Sequence, residues 1–246
     1  MSGHPQWIVP DWPAPPRVHA FVTTRAGGVS QGEYASLNLG AQSGDDPVHV
    51  ARNRAIVREY LPNAPRWMTQ VHGTRVASLD DPADGNTARA DAAVTGTRGR
   101  VCAVLTADCL PLLLCDGAGR KVGIAHAGWR GMAAGVIENA VAALGVPAEQ
   151  VVAWMGPAIG QDAFEVGAEV RSAFIAVDPD AANAFRSHAP GKFMADLYAL
   201  ARGRLQRAGV EQVHGGGFCT HRDSARFFSY RRAQQSGRMG SFIWIE

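Results

Sequence analysis

An α+β fold built on packed β-sheets is the class that this chain of 246 residues predicts, and three observations carry it. Strand-like segments crowd the middle of the sequence, helical segments flank them, and the two do not alternate in the regular order that winds a parallel βαβ sheet. Hydrophobic residues make up 46% of the chain and charged residues 19%, which is enough apolar surface for a substantial core. No repeat, low-complexity tract or Ser/Gly linker divides the sequence. Residues 18–246 are therefore expected to form a single domain behind an extended, proline-rich lead-in at 1–17.

The elements follow in order. VHAFVTT (18–24) alternates into a strand, and AGGVSQGEYASLNLG (26–40) is too rich in Gly, Ser and Asn to be regular. In DDPVHVARNRAIVREYL (45–61), Asp45 or Asp46 can cap and Pro47 suits a first turn. With Val50, Ile56, Val57 and Leu61 on one stripe, this segment predicts a helix. Strands are expected at 66–73, 75–79, 91–95, 101–109, 110–116 and 121–127. DGAG (116–119) reads as a tight turn that pairs 110–116 with 121–127 antiparallel. Gly128 to Leu144 predicts one helix, stopped by Gly145 and Pro147. Beyond it come a strand at 150–155, helices near 166–176 and 194–208, and strands at 211–214, 226–231 and 241–245.

Composition excludes several functions. The 24 basic and 22 acidic residues are mixed along the chain, without the one-sided excess that binding a phosphate backbone demands, so nucleic acid is not expected as a partner. ARFFSYRR (225–232) interleaves aromatics with arginines as single-strand binders do, but it stands alone, and alternation would bury Phe227 or Phe228. No stretch approaches the roughly 20 apolar residues of a membrane helix, and the N-terminus lacks a secretory pattern, which predicts a cytoplasmic protein. The four cysteines, Cys102, Cys109, Cys115 and Cys219, contain no C-x-x-C pair and are expected as free thiols.

Three residues stand out chemically. Cys109 follows an apolar strand, His126 ends the next hairpin arm just before a helix, and His72 closes TQVHG, so all three are expected at one rim of a sheet. A thiolate and two imidazoles would suit a tetrahedral metal site with an open fourth position. Cys109 with His126 as its base would equally suit nucleophilic chemistry. A buried cysteine beside structurally satisfied histidines is the third reading that the spacing allows.

The sequence resembles the YfiH/laccase-domain family through TTRAGGVSQGEYASLNLGAQSGDDPVHVARNR (23–54), TQVHG (69–73), DAAVT (91–95), TADCLPLLL (106–114) and AHAGWRG (125–131). GPAIG with FEVG (156–167) and FFSYRR…SGRMGSFIWI (227–245) complete the set, in order, from about residue 18 to the C-terminus. The resemblance implies a layered α/β/β/α domain with mixed β-sheets and a zinc site on His72, Cys109 and His126. It also implies phosphorolysis of adenosine, inosine and methylthioadenosine to the free base and ribose 1-phosphate, together with adenosine deamination. Purine nucleoside and phosphate are then the expected partners, and the oligomeric state is left open.

Phosphorolysis needs cations facing the site. Arg25 is the first candidate for phosphate, with Arg130 and Arg231 behind it. Asn38 could meet a ribose or purine edge or cap its own loop, and Asp108 could act as general acid or base or orient a ligand histidine. The alternative enzyme is a Cys109/His126 thiol hydrolase or amidase, which some relatives' apparent action on cell-wall precursors favours. Copper polyphenol oxidation is disfavoured, because the eight histidines form no H-x-H pair for a trinuclear cluster. Cu²⁺ could still occupy the zinc site opportunistically.

Overall fold

The computed structural model describes residues 6–84 and 88–246; residues 1–5 of the expected lead-in lie outside them. In chain order the elements are β1 (Val18–Val22), α1 (Pro47–Arg58), β2 (Val76–Ser78), β3 (Ala92–Thr95), β4 (Cys102–Thr106), β5 (Leu110–Asp116) and β6 (Val122–Ala127). They continue with α2 (Trp129–Ala134), α3 (Val136–Ala143), β7 (Val151–Met155), β8 (Glu165–Gly167), α4 (Ala168–Ile175), β9 (Phe185–Ala189), β10 (Lys192–Ala195), α5 (Leu197–Arg207), β11 (Gln212–Gly215) and β12 (Met239–Ile245).

Four layers result. A mixed six-stranded sheet, β11-β7-β5-β6-β3-β2, is parallel at its two outer pairs and antiparallel between them. One face, with Leu110, Leu112, Leu114 and Ala125, packs on α2 to α5 through Met132, Ile137, Val170 and Leu200. The other face, with Leu113, Cys115, Ile124 and Trp154, packs on Val104, Ile243 and Ile245 of the antiparallel sheet β1-β12-β4. That second sheet is closed on its far side by Val57 of α1 and by Leu37, Leu39 and Leu61. The order is α/β/β/α. Because β5 is covered on both faces, its sequence LPLLLCD reads as a continuous apolar run without alternation.

Several expected elements differ, each for a local reason. Segment 66–73 forms only single bridges, Arg66 to Cys102 and Thr69 to Arg89, in place of a strand. Here the Gln70 side-chain amide, not backbone, pairs with Leu105, donating to its carbonyl and accepting from its N–H, each at 2.8 Å. The strand expected at 101–109 stops at Thr106, leaving 107–109 as a turn. The helix expected over 128–144 breaks at Gly135, whose φ of 104° suits glycine alone. Segment 226–231 is a turn-rich loop, with Phe227 and Phe228 both buried against Met239 and Ala107. The sheet β8-β10-β9 was not anticipated; β9 is largely exposed and carries no apolar alternation. The described part of the lead-in is fixed to the body, with Trp7 stacked on Phe21 at 4.8 Å and Ile8 bridging Val22.

Leu113 lies fully buried between the two sheets. Leu113→Ala is expected to lower unfolding free energy by about 2–5 kcal/mol, read by denaturant titration; a loss below about 1 kcal/mol would mean that the sheets collapse into the gap.

Candidate metal centre and its cleft

The centre is built around Asp91, which is fully buried one residue before β3. Its Oδ1 accepts from the His72 backbone N–H at 2.9 Å and from His126 Nδ1 at 2.8 Å, and its Oδ2 accepts from the Val71 and Gly73 N–H groups at 3.1 and 2.7 Å. An ionised carboxylate only accepts, so Nδ1 of His126 carries a proton and Nε2 is the nitrogen turned towards Cys109, free to bind a metal once its own proton is given up. The backbone of Asp91 takes part too, because its carbonyl accepts from the His126 N–H at 2.7 Å. One residue thus fixes the loop that bears His72 and the ring of His126.

Cys109 reaches the same place from β5. It precedes that strand by one residue, and His126 lies opposite Pro111 in the β5–β6 ladder, so both stand at one end of the hairpin. His72 has a φ of 58° and Asp108 a φ of 88°, unusual values for side-chain-bearing residues, at two positions that aim ligands. Sγ of Cys109 lies 3.9 Å from His72 Nε2, and the donor atoms of His72, Cys109 and His126 all lie within 4.8 Å of one another.

A tetrahedral zinc, with Zn–S about 2.3 Å and Zn–N about 2.0 Å, sets its ligand atoms about 3.5 Å apart, so the three groups fit such an ion with small movements. Gly128 makes room for them: a Cβ there would come within 2.9 Å of His72 Cδ2 and 3.0 Å of Cys109 Sγ.

The electrostatics follow from this packing. Burial by itself pushes the Cys109 thiol up, but the charge and hydrogen bond of His126, helped by those of His72, outweigh it and bring the thiol down to about 6. Burial likewise disfavours the His126 imidazolium, yet the Cys109 thiolate and Asp91 raise it to about 9. Cys102 and Cys115 have no such neighbours and are pushed up by burial, Cys115 to about 12.

The centre opens on a cleft of about 800 Å³ whose lining includes Arg54, Trp67, Trp129, Phe164, Tyr230 and Arg238. Arg130 and Arg231 line it as well. Arg25, the first candidate for phosphate, lies outside this lining, with Nε donating to Ala35 O and Nη1 to Ser224 O at 2.8 and 3.0 Å. Asn38 is also outside and fully buried, donating to Ser43 and Asp45 and accepting from the Gly40 and Arg238 N–H groups, so it caps its loop. Asp108 lines the cleft, but its carboxylate is occupied by Thr220 Oγ1 at 2.6 Å and the Arg231 N–H at 2.7 Å. It braces the loop beyond β11, and Asp91 instead orients His126.

Sequence reasoning missed Asp91, Arg54 and Arg238. Asp91 opens DAAVT and Arg238 lies in SGRMGSF, so both were in recognised segments without a cue to their roles. Arg54 is held by two bonds to Leu39 O and stacks on Trp67 at 4.2 Å, while Arg238 donates to the Ser236 and Gly237 carbonyls. Among the described residues these guanidinium groups, like those of Arg130 and Arg231, form no ion pair with a carboxylate at contact distance, although Asp108 and Cys109 lie near enough to favour the charge of Arg238, so four arginines face the cleft against one acid and one thiol.

Fold and site together define a class: a four-layered α/β/β/α protein with a His/Cys/His centre at the base of an arginine-lined cleft. Residues 19–246 match the family described as multi-copper polyphenol oxidoreductase laccase, and the chain belongs to that family. It is 54% identical over 241 residues to a purine nucleoside phosphorylase of Pseudomonas aeruginosa, covering 98% of each chain. It is 52% identical over 240 residues to the purine nucleoside phosphorylase YfiH of Escherichia coli, covering 97% of this chain and 98% of that one. Among solved structures, a Neisseria meningitidis protein superposes with a TM-score of 0.94 at 51% identity, over 98% of this chain and 99% of the other. YlmD of Geobacillus stearothermophilus does so at 0.91 and 30% identity, over 100% and 98%.

Two outcomes are expected of the centre. In metal-free protein Cys109 should be thiolate above about pH 6 and lose alkylation reactivity below it, while His126→Ala should move that midpoint upward towards an ordinary thiol value; an unchanged midpoint in the variant would remove His126 as the cause. Gly128→Ala should weaken zinc binding in a competition titration at least tenfold, because its methyl group displaces two ligands at once; wild-type affinity would show that His72 and Cys109 can yield without loss.

Proposed function

We propose that the chain is a zinc-dependent purine nucleoside phosphorylase that also deaminates adenosine, with His72, Cys109 and His126 as the metal ligands. The observation that carries this reading is the convergence of one sulfur and two imidazole nitrogens at the base of a positively charged cleft. The phosphorylase names of relatives 52–54% identical over nearly the whole chain support the reaction class. When bound, zinc supplies Lewis-acid chemistry with one coordination position left open by three protein ligands.

The rest is work for the chain's own residues. In phosphorolysis a phosphate oxygen bonds to ribose C1′, the bond from C1′ to the purine nitrogen breaks, and the base leaves with that electron pair and takes up a proton. The anionic nucleophile and the departing base both need fixed positive charge. Arg130, exposed and lacking a hydrogen-bonded partner among the described residues, is the proposed phosphate ligand. Arg231 and Arg238, anchored by backbone carbonyls, add positive charge to the same cleft. Asp91 keeps His126 in the tautomer that leaves Nε2 available.

A second reading has one observation in its favour, the Cys109 thiol lowered beside His126, which is the pairing a thiol hydrolase or amidase uses. Copper could enter the same three ligands. Among the described residues, however, they form one group, a poor basis for the multi-copper oxidation in the family's description.

The deciding experiment measures metal content and base release from adenosine and inosine, with and without phosphate, on holo and chelated protein. The proposal expects about one zinc per chain, base release that requires phosphate, loss of activity on chelation with recovery on adding zinc, and Cys109 resistant to alkylation until the metal is removed. Cys109→Ala should lose zinc and activity together. Rapid alkylation of untreated protein, with activity indifferent to chelators, would replace this function with the Cys109/His126 hydrolase.

A further inference from the structure

The loop between β11 and β12 places one aromatic ring where none of its hydrophobic neighbours goes. Phe227 and Phe228 are buried, and Ser229 is only 1% exposed, whereas Tyr230 is 52% exposed and lines the cleft. The backbone that carries this ring is held on both sides. The next residue donates its N–H to Asp108 Oδ2 at 2.7 Å, and Ser229 accepts from the Arg232 and Ala233 N–H groups. The guanidinium of Arg232 then ties the loop to the carbonyls of Thr220, His221 and Phe227. A rigid main chain therefore presents a solvated ring to the cleft.

The other aromatic rings of the cleft are engaged. Arg54 lies over Trp67 at 4.2 Å, Arg130 over Trp129 at 4.5 Å and Arg231 over Phe164 at 5.3 Å. Tyr230 has Arg238 at a looser 5.8 Å, and among the described residues its hydroxyl makes no hydrogen bond. Leaving such a ring in water wastes its apolar faces unless a flat molecule covers one. A purine has that shape, and stacking it on an aromatic ring needs no hydrogen bond to a particular base edge.

We infer that Tyr230 is a substrate-binding residue on which the purine base stacks, so that the cleft selects an aromatic base by its face while the metal centre and the arginines act on the sugar and phosphate. This rests on the phosphorylase reading, and it makes the site tolerant of the 6-substituent, accepting adenine and hypoxanthine nucleosides alike. Stacking energy should appear in nucleoside binding and not in the phosphate requirement.

The test compares wild type, Tyr230→Phe and Tyr230→Ala, each checked for zinc content. Calorimetric binding and steady-state kinetics are measured with adenosine, inosine and inorganic phosphate. Tyr230→Ala is expected to raise the Kd and KM of both nucleosides about tenfold, with the phosphate KM and the metal content unchanged, and Tyr230→Phe is expected to keep wild-type values. Unchanged nucleoside affinity in Tyr230→Ala, an equal rise in the phosphate KM, or loss in Tyr230→Phe as large as in Tyr230→Ala would overturn the inference. If wild type binds nucleosides but does not phosphorolyse them, the reaction assignment fails while the binding comparison still decides the role of Tyr230. If no variant binds either nucleoside, both fall.

Discussion

The buried carboxylate of Asp91 is the constraint on which the functional end of this molecule depends. Its two oxygens accept from three consecutive backbone amides, Val71 to Gly73, and from the ring of His126. Burial works against ionising this carboxyl, but the hydrogen bonds from His126 and the amides outweigh it and hold the group below the usual carboxylate range. The ionised form is therefore kept inside the protein by the same contacts that align the ligands. Without it, the His72 loop would lose its common acceptor and His126 would lose the partner that sets its tautomer.

The layers explain why this end of the sheet can carry chemistry. The hairpin β5–β6 is covered on both faces, so its strands are apolar throughout and polar residues are tolerated only where the strands stop. Cys109 lies just before one strand, and His126 is the penultimate residue of the other. Gly128 begins the turn into α2 and leaves the space that a side chain would take from His72 and Cys109. Around this rigid floor the cleft wall is built from arginines anchored to carbonyl oxygens, which keep their charge available to an anion.

Much of this was legible in the sequence, and the exceptions are instructive. The hairpin at 110–127, the helix beginning near Pro47 and the grouping of His72, Cys109 and His126 follow from the DGAG turn between two apolar runs, from capping and from strand-end position, which are local signals. Segment 66–73 has strand composition but is held by the Gln70 side chain, a contact with Leu105 that no local pattern reveals. Arg25 begins a Gly-rich loop as a phosphate ligand might, yet the fold sets it outside the cleft lining, with its guanidinium on the carbonyls of Ala35 and Ser224. Asp91 went unrecognised for the same reason in reverse: an acid at the start of an apolar strand looks like punctuation until the fold brings two histidines to it.

In the proposed function, Asp91 makes a metal site of His72, Cys109 and His126 by holding two of the three ligands. The most direct measurement is the zinc affinity of Asp91→Asn against wild type by competition with a chromogenic chelator, with folding checked by thermal unfolding of both metal-free proteins. The account predicts affinity weakened about ten- to hundredfold, because an amide offers one acceptor oxygen where the carboxylate offered two. Wild-type affinity in a folded Asp91→Asn protein would contradict it.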